Sequence, residues 1–132
     1  MNQADELDVI ADTLRAMYAA VRVMDRTRLE TEIFAPGFYA YDLGKRFDGM
    51  ELVDLIEGAM AQGRRFVWTI NEPDVRVFGD RAWIAYVNRG SVGDAETATP
   101  VTWLESAMLV RLDGRWRIEF FHSTRVPAEA SA

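Results

Sequence analysis

The N-terminal part of the chain places its apolar residues at helical spacing. Between about Asp5 and Met24 they recur every three or four positions, with charged residues between them; this apolar set is Leu7, Ile10, Ala11, Leu14, Met17, Tyr18 and Val21. The spacing predicts an amphipathic helix. Asp25 is placed to cap a second, shorter helix, which the pair Pro36-Gly37 is predicted to stop.

A strand and a third helix are predicted next. The aromatic segment Phe38 to Gly44 is typical of a strand. After it, Asp48 with Glu51 three residues later is typical of a capping box, and Gly63 is placed to end the helix. The apolar stripe of this helix consists of Leu52, Val53, Ile56 and Met60.

After Arg64 the pattern changes to that of β-strands. Segments rich in Val, Ile, Trp, Phe and Thr cover about 65–78, 81–89, 101–112 and 115–124. Gly79-Asp80 and Asp113-Gly114 are tight-turn sequences, so these segments are predicted to form an antiparallel meander. Pro73 predicts a bulge or bend within the first of them.

Helices followed by a run of long strands indicate an α+β fold. We expect a cone-shaped, curved antiparallel sheet wrapped over three N-terminal helices, with residues 1–132 forming one domain. A curved sheet of this kind leaves an open mouth, and ligands bind in such concavities. The functional site is therefore expected inside the cone.

Composition narrows the possible functions. A formal net charge of -6 argues against a nucleic-acid partner, which would need clustered basic residues. The chain has no cysteine and one histidine, which excludes disulfides, thiolate metal sites and zinc sites built on several imidazoles. No cofactor is expected. The acidic N-terminus does not resemble a signal peptide and no apolar run could span a membrane, so a cytoplasmic protein is expected.

Two groups of ionisable residues are candidates for catalysis. A two-residue turn at Asp113-Gly114 would place Glu105 opposite His122, with both side chains on the inner face of the last hairpin. A carboxylate beside an imidazole can orient it for proton transfer. Alternatively, His122 is a hydrogen-bonded core residue, or it lines the cavity without a catalytic role.

Asp42 and Tyr18 form the second group. Asp42 ends an apolar strand face, and Tyr18 lies on the apolar stripe of the first helix. A desolvated aspartate has a raised pKa and is a more effective base. The alternative is that Asp42 only ends the strand by accepting hydrogen bonds from backbone amides.

Further residues are expected to line the cavity or to cover its outside. The candidates for ligand binding are Trp68, Tyr86, Trp103, Phe120 and Asn88, although most aromatic residues could equally pack in the core or in a dimer. Residues Trp83, Val87, Met108 and Val110 are expected on the outer face of the sheet. Because an outward apolar face usually meets a partner, we expect a homodimer through it.

Three strings of the sequence resemble one family. FAPGFYAYDLGKRFDGMELV resembles its first strand and the start of its third helix, VFGDRAWIAY its central hairpin, and RLDGRWRIEFFHST its closing hairpin. In these strings and in the order of elements, the chain resembles the nuclear transport factor 2-like superfamily, specifically its SnoaL-like, polyketide cyclase-like members. The closing hairpin is also similar to the end of the association domain of calcium/calmodulin-dependent protein kinase II.

The resemblance implies a cystatin-like α+β barrel and suggests roles for the candidate residues. Ketosteroid isomerase, a member of the superfamily, carries a catalytic Asp at the end of its first strand and a Tyr on its first helix, which Asp42 and Tyr18 would match. The further carboxylic acid of that enzyme has no counterpart at Ala107 or Met108, and Glu105 is the candidate to replace it.

The sequence therefore favours a domain that binds a small apolar or carbonyl-containing molecule. A proton-transfer reaction of the isomerase, cyclase or dehydratase type would use Asp42 as base, Tyr18 as donor to an oxyanion, and His122 with Glu105 as a second pair. The alternative is a non-catalytic association or ligand-sensing domain, because this fold hosts both.

Overall fold

The computed structural model describes residues 2–128 of the chain. The helices are α1 (Gln3–Arg22), α2 (Arg26–Arg28) and α3 (Glu51–Ala61), with a π-helical turn, Leu29–Ile33, directly after α2. The strands are β1 (Phe34–Asp42), β2 (Lys45–Asp48), β3 (Arg65–Val67), β4 (Asn71–Phe78), β5 (Arg81–Gly93), β6 (Ala98–Leu112) and β7 (Arg115–Arg125). Three helices and a seven-stranded, curved, unclosed sheet confirm the expected α+β class.

Helix α1 is the amphipathic helix that the apolar spacing predicts. The side chain of Asn2 caps it by accepting a hydrogen bond from the backbone N–H of Asp5, at 2.9 Å. Its buried residues are Ile10, Ala11, Leu14, Met17, Tyr18, Ala20 and Val21. This stripe packs against the inner face of the sheet, so Tyr18 points into the interior of the cone.

The boundary between α2 and β1 differs from the prediction. Asp25 caps α2 as expected, accepting a hydrogen bond from the N–H of Arg28 at 3.2 Å. However, β1 already begins at Phe34, and Pro36-Gly37 lies inside the strand, where pairing with β7 is interrupted between Phe34 and Tyr39. Gly37 has a φ of +82°, so the pair forms an irregularity in a strand instead of ending a helix.

The sheet has the strand order β2-β1-β7-β6-β5-β3, and β4 also pairs with β5. Strands β4 to β7 form the predicted antiparallel meander, but β1 runs parallel to β7 and so extends the sheet on its other side. The segment predicted as one strand over 65–78 is two strands, β3 and β4. The register shift between Asn71 and Asp74 confirms the irregularity expected at Pro73.

Strand β2 was not predicted from the sequence, because it is short and mostly polar. Phe47 is its one buried residue, since β2 lies at the edge of the sheet. The carboxylate of Glu51 accepts a hydrogen bond from the N–H of Asp48 at 2.6 Å, which is one half of the expected capping box. The side chain of Asp48 instead pairs with Arg46, at 2.7 Å.

The closing hairpin begins in the predicted register and then leaves it. The two-residue turn pairs Leu112 with Arg115 and Leu109 with Ile118. A β-bulge follows, in which Glu119 has no partner on β6. One extra residue in one strand reverses the facing of every side chain beyond it.

This reversal overturns the predicted pairing of Glu105 with His122. Beyond the bulge, Glu105 pairs with Ser123, and His122 pairs with Ser106. The side chains of Phe121 and Ser123 are buried, whereas that of His122 is exposed. The prediction that Phe120 faces inward fails for the same reason.

The facing predicted for β5 is correct. Ala82, Ile84, Tyr86 and Asn88 are buried on the inner face. Ala82, Ile84 and Tyr86 form the core together with the stripe of α1 and the inner residues of β6 and β7, and this core fills the end of the cone near the Asp113-Gly114 turn. The opposite end of the cone stays open.

Candidate functional site

A cavity of about 720 Å³ opens at the end of the cone away from the closing turn. Its walls come from α1, α3 and every strand except β4, together with the segments between β1 and β2 and between β3 and β4. Most of the lining is apolar or aromatic, and the larger members are Met17, Tyr18, Phe34, Phe38, Phe66, Trp68, Trp103 and Phe121. Leu43 and Leu55 are exposed and mark the mouth.

Glu105 lies at the buried end of this cavity, where only 7% of its surface is exposed. One carboxylate oxygen, Oε1, accepts hydrogen bonds from the hydroxyl of Tyr18 and from Nδ2 of Asn88, the latter at 3.0 Å. The other oxygen, Oε2, accepts a hydrogen bond from the hydroxyl of Ser123 at 2.8 Å. The side chain thus accepts three hydrogen bonds from neutral donors.

The Tyr18 hydroxyl belongs to a chain of hydrogen bonds that ends on Glu105. The hydroxyl oxygens of Tyr18 and Tyr86 are 2.5 Å apart. The Tyr18 hydroxyl has one hydrogen, which it donates to Glu105. The hydrogen bond between the two tyrosines is therefore donated by Tyr86. Burial raises the pKa of both tyrosines well above the usual value, and the nearby Glu105 charge adds to this, so both remain protonated at neutral pH.

Asp42 lies at the end of β1, on the wall of the same cavity and partly buried. Its Oδ1 accepts a hydrogen bond from the backbone N–H of Leu43 at 2.8 Å. This is the contact expected under the alternative in which Asp42 only ends the strand. Burial nevertheless raises the pKa of Asp42 to about 6, against the lowering effect of that hydrogen bond. The Glu105 charge acts in the same direction as burial, while His122 opposes it.

His122 lies where β7 separates the cavity from the outside of the sheet. It contributes to the cavity wall and also to a groove on the outer face. Its imidazole ring is 5.8 Å from the ring of Tyr41, with the two rings nearly perpendicular. It is therefore neither a core residue nor a partner of Glu105.

The five residues predicted to bind a ligand fall into three groups. Trp68 and Trp103 line the cavity. Tyr86 and Asn88 are buried behind it, where they hold Tyr18 and Glu105. Phe120 lies on the outer face, where its ring is 4.9 Å from that of Tyr39.

Sequence reasoning missed Ser123, which donates to Glu105, and Phe66, whose ring stacks on Trp68 at 5.3 Å. A one-residue shift in the pairing of β7 with β6 would have placed Ser123 opposite Glu105. The sequence gives no signal for that shift, because no Gly or Pro marks the bulge at Glu119. Within residues 2–128, no three acidic or histidine side chains come close enough to hold a metal ion. In the same part of the chain, no helix combines the length and apolar character needed to cross a membrane.

Solved structures with similar folds include a proposed dehydratase of the NTF2-like family from Streptomyces avermitilis, 16% identical, with a TM-score of 0.80 over 96% of this chain and 100% of that one. A proposed ketosteroid isomerase from Shewanella frigidimarina is 18% identical, with a TM-score of 0.67 over 86% and 92% of the two chains. The association domain of the Caenorhabditis elegans kinase CaMKII is 20% identical, with a TM-score of 0.71 over 92% and 96%. No curated protein matches the chain in sequence.

At these identities the similarity to solved structures defines the fold alone. The fold and its open cavity define a cone-shaped α+β domain with the cystatin-like architecture that the sequence led us to expect, similar in fold to proteins of the NTF2-like family. Within that class the chain belongs to the SnoaL-like domain family, whose model matches residues 10–129.

Proposed function

We propose that the cavity binds a small, largely apolar molecule with a carbonyl group, and that the protein transfers a proton on it in a reaction of the isomerase, cyclase or dehydratase type. The observation that carries this proposal is Asp42, a carboxylate on the wall of an apolar cavity whose pKa is raised to about 6. A group with a pKa near neutrality is an efficient general base and, once protonated, an efficient acid. The similarity to a proposed dehydratase and a proposed ketosteroid isomerase supports this choice.

In this reaction Asp42 removes a proton from the carbon next to the carbonyl. The electron pair of the C–H bond forms a C=C bond to the carbonyl carbon, and the π pair of the carbonyl moves to its oxygen, which gives an enolate. Returning the proton from Asp42 to another carbon completes an isomerisation. Tyr18 is the donor for the resulting oxyanion. Because the single hydroxyl proton of Tyr18 is directed at Glu105, a carbonyl oxygen that reaches Tyr18 must compete with Glu105 for it.

His122 does not pair with Glu105, because beyond the bulge its side chain is exposed and Ser123 takes the position opposite Glu105. It contributes to the cavity wall and its charge lowers the pKa of Asp42, so its expected role in proton transfer stays a prediction. The second acid-base pair expected from the sequence is therefore replaced in the proposal by the cluster of Tyr18, Tyr86 and Glu105.

Proton transfer is tested with simple ketones in D₂O. Cyclohex-3-en-1-one, 2-tetralone and 3-hydroxycyclohexanone report isomerisation, exchange of the proton next to the carbonyl, and dehydration, respectively, by NMR and ultraviolet absorbance. We expect Asp42→Asn to lower kcat/KM by a factor of about 10² to 10⁴. Asp12→Asn, which removes an exposed carboxylate on α1, is the matched control. Equal activity of wild type and Asp42→Asn, or no exchange in any of the three ketones, would refute the proposal.

A second proposed function is self-association through the outer face of the sheet. One row of side chains crosses four strands there: Trp83 pairs with Met108, Met108 with Phe120, and Phe120 with Tyr39. Beside this row Leu104 is 54% exposed and Met108, within it, 46% exposed. Trp83 and Val87 are half-buried, and Val110 is buried. We name Trp83, Val87, Leu104, Met108, Phe120, Tyr39 and Tyr41 the outer patch.

A contiguous apolar patch on a small domain is typical of an interaction surface, and a homodimer through the outer patch is the simplest arrangement that covers it. The similarity to the CaMKII association domain supports self-association. We expect a dimer by sedimentation or light scattering that Met108→Lys converts to a monomer. Val23→Lys, at an isolated exposed position, is the control. A monomeric wild type would contradict the dimer, and large rings with an empty cavity would favour a purely structural role.

A further inference from the structure

Glu105 is a buried carboxylate without a positively charged partner. No Lys, Arg or His side chain within residues 2–128 forms an ion pair with it; its partners are the neutral donors of Tyr18, Asn88 and Ser123. Buried carboxylates in proteins are normally paired with a cation, because removing the charge from water is costly. The three hydrogen bonds offset part of this cost and leave the charge itself unbalanced.

The positive charges of the cavity wall are too far toward solvent to serve this purpose. Lys45, Arg46 and Arg125 line the mouth, and all three are exposed. Arg46 is already paired with Asp48 at 2.7 Å, and the ammonium of Lys45 lies over the ring of Phe47 at 4.8 Å. Exposed charges such as these interact weakly with a buried group, because solvent screens them.

The buried end of the cavity combines this carboxylate with aromatic rings. The ring of Trp68 makes stacked contacts with those of Tyr18, at 5.4 Å, and Phe66, at 5.3 Å. Trp103 lies on the same wall of the cavity as Glu105, two residues away on the inner side of β6. Aromatic faces attract organic cations, most strongly where water is excluded. A metal ion that needs three or more anionic ligands does not fit this arrangement, in which Glu105 supplies one carboxylate among aromatic rings.

We propose that the cavity binds an organic amine in its protonated form, with the ammonium group donating a hydrogen bond to Glu105 and the apolar part lying against Trp68 and Trp103. Oε2 of Glu105 accepts one hydrogen bond, from Ser123, and so retains a lone pair for the ligand. This inference rests on the proposed function only in taking the cavity as the ligand site, and it is independent of the catalytic role of Asp42.

An ammonium group at Glu105 also changes the hydrogen bonding of Tyr18. The ammonium competes with the Tyr18 hydroxyl for the carboxylate, and a Tyr18 proton released in this way becomes available to a carbonyl oxygen of the same ligand. If both proposals hold, the substrate class is an amine that also carries a carbonyl group.

The inference is tested with three compounds of similar shape and different charge. These are 2-phenylethylamine, which is protonated at pH 7, neutral 2-phenylethanol and anionic 3-phenylpropionate. Their dissociation constants are measured by calorimetry with the wild-type protein. We expect the amine to bind about tenfold or more tightly than the alcohol, as a charge-assisted hydrogen bond would give, and the carboxylate to bind most weakly.

Glu105→Gln keeps the shape of the side chain and removes its charge, so it should abolish the preference for the amine while still binding the alcohol. Glu96→Gln, an exposed residue with the same change of charge, should leave the preference intact. If Glu105→Gln does not fold, the ranking of the three compounds on the wild type decides alone. Equal or tighter binding of the alcohol, tightest binding of the carboxylate, or no binding of the amine would overturn the inference. A negative result of this kind leaves the ketone test of Asp42 unaffected.

Discussion

The inner and outer faces of the sheet share the same strands but treat polar and apolar side chains in opposite ways. Neighbours on β6 show this directly: Glu105 is 7% exposed, and Leu104 beside it is 54% exposed. A charged residue is thus buried next to an apolar residue that is left in contact with solvent. In most folded proteins the reverse distribution is found.

Both exceptions agree with the contacts proposed above, a ligand in the cavity and a partner on the outer patch. Tyr18, Asn88 and Ser123 each donate a hydrogen bond to the buried carboxylate of Glu105. An apolar side chain at this position would need none of these three donors. The exposed Leu104 belongs to the outer patch, which a second molecule could cover. A ligand inside and a partner outside would each correct one departure from the usual distribution.

The largest expected effect separates two adjacent residues of β6. Leu109 is fully buried on the inner face, so Leu109→Ala should lower the free energy of unfolding by about 2 to 5 kcal/mol, through lost burial and the cavity that it leaves. Met108→Ala, on the outer patch, should cost about 0.5 kcal/mol or less in dilute protein. Urea denaturation of both variants measures the difference.

Protein concentration sharpens this test. If the outer patch is an interface, the cost of Met108→Ala should rise with protein concentration, because dimerisation stabilises the folded state by mass action. The loss of unfolding free energy caused by Leu109→Ala should not rise with protein concentration, because Leu109 lies in the core and not on the outer patch. Equal costs for the two variants in dilute protein would show that the two faces do not differ as described.

Local patterns in the sequence predict most of the fold. The helical spacing of α1, the cap at Asp25 and the turn at Asp113-Gly114 each depend on nearby residues, and each is confirmed. The parallel pairing of β1 with β7 could not be read from the sequence, because it joins segments far apart in the chain. A polar edge strand such as β2 has no hydrophobic alternation to reveal it.

The site was predictable only up to the bulge at Glu119. Alternation correctly placed Tyr86, Asn88 and Glu105 on the inner face, and the helical stripe did the same for Tyr18. Beyond the bulge the alternation changes by one residue, so His122 is exposed between the cavity wall and the outer groove, and Ser123 takes the inner position beside Glu105. A bulge within a strand needs no glycine or proline, and nothing in the local sequence announces it.

A smaller effect should distinguish tyrosines on the two faces. Tyr86→Phe removes the donor to Tyr18 in a buried cluster and should cost about 1 to 2 kcal/mol in unfolding free energy. Tyr39→Phe, on the outer patch, should cost close to nothing, because its hydroxyl has no hydrogen-bond partner within residues 2–128. Each variant loses one hydroxyl group. A similar loss of unfolding free energy in both would therefore mean that the inner hydrogen bonds contribute no stability of their own.

The smallest effect concerns Asp42, which lies where the inner face meets solvent. Its pKa is about 6 in the folded protein and about 4 in an unfolded chain. Between these values the folded protein holds a proton that the unfolded chain has lost, so this group makes stability fall as pH rises from about 4 to about 6. Asp42→Asn lacks this contribution but can still accept the hydrogen bond from Leu43.

Urea denaturation of the wild type and Asp42→Asn at a series of pH values isolates this contribution, since all other titrating groups are common to both. The variant should gain stability relative to the wild type between pH 4 and 7 and remain level above that range. Allowing for the partial exposure of Asp42, the gain should be under about 1 kcal/mol. A difference that does not change with pH would show that Asp42 is as well solvated as the residues of the outer face, and it would then lack the property that makes it a candidate base.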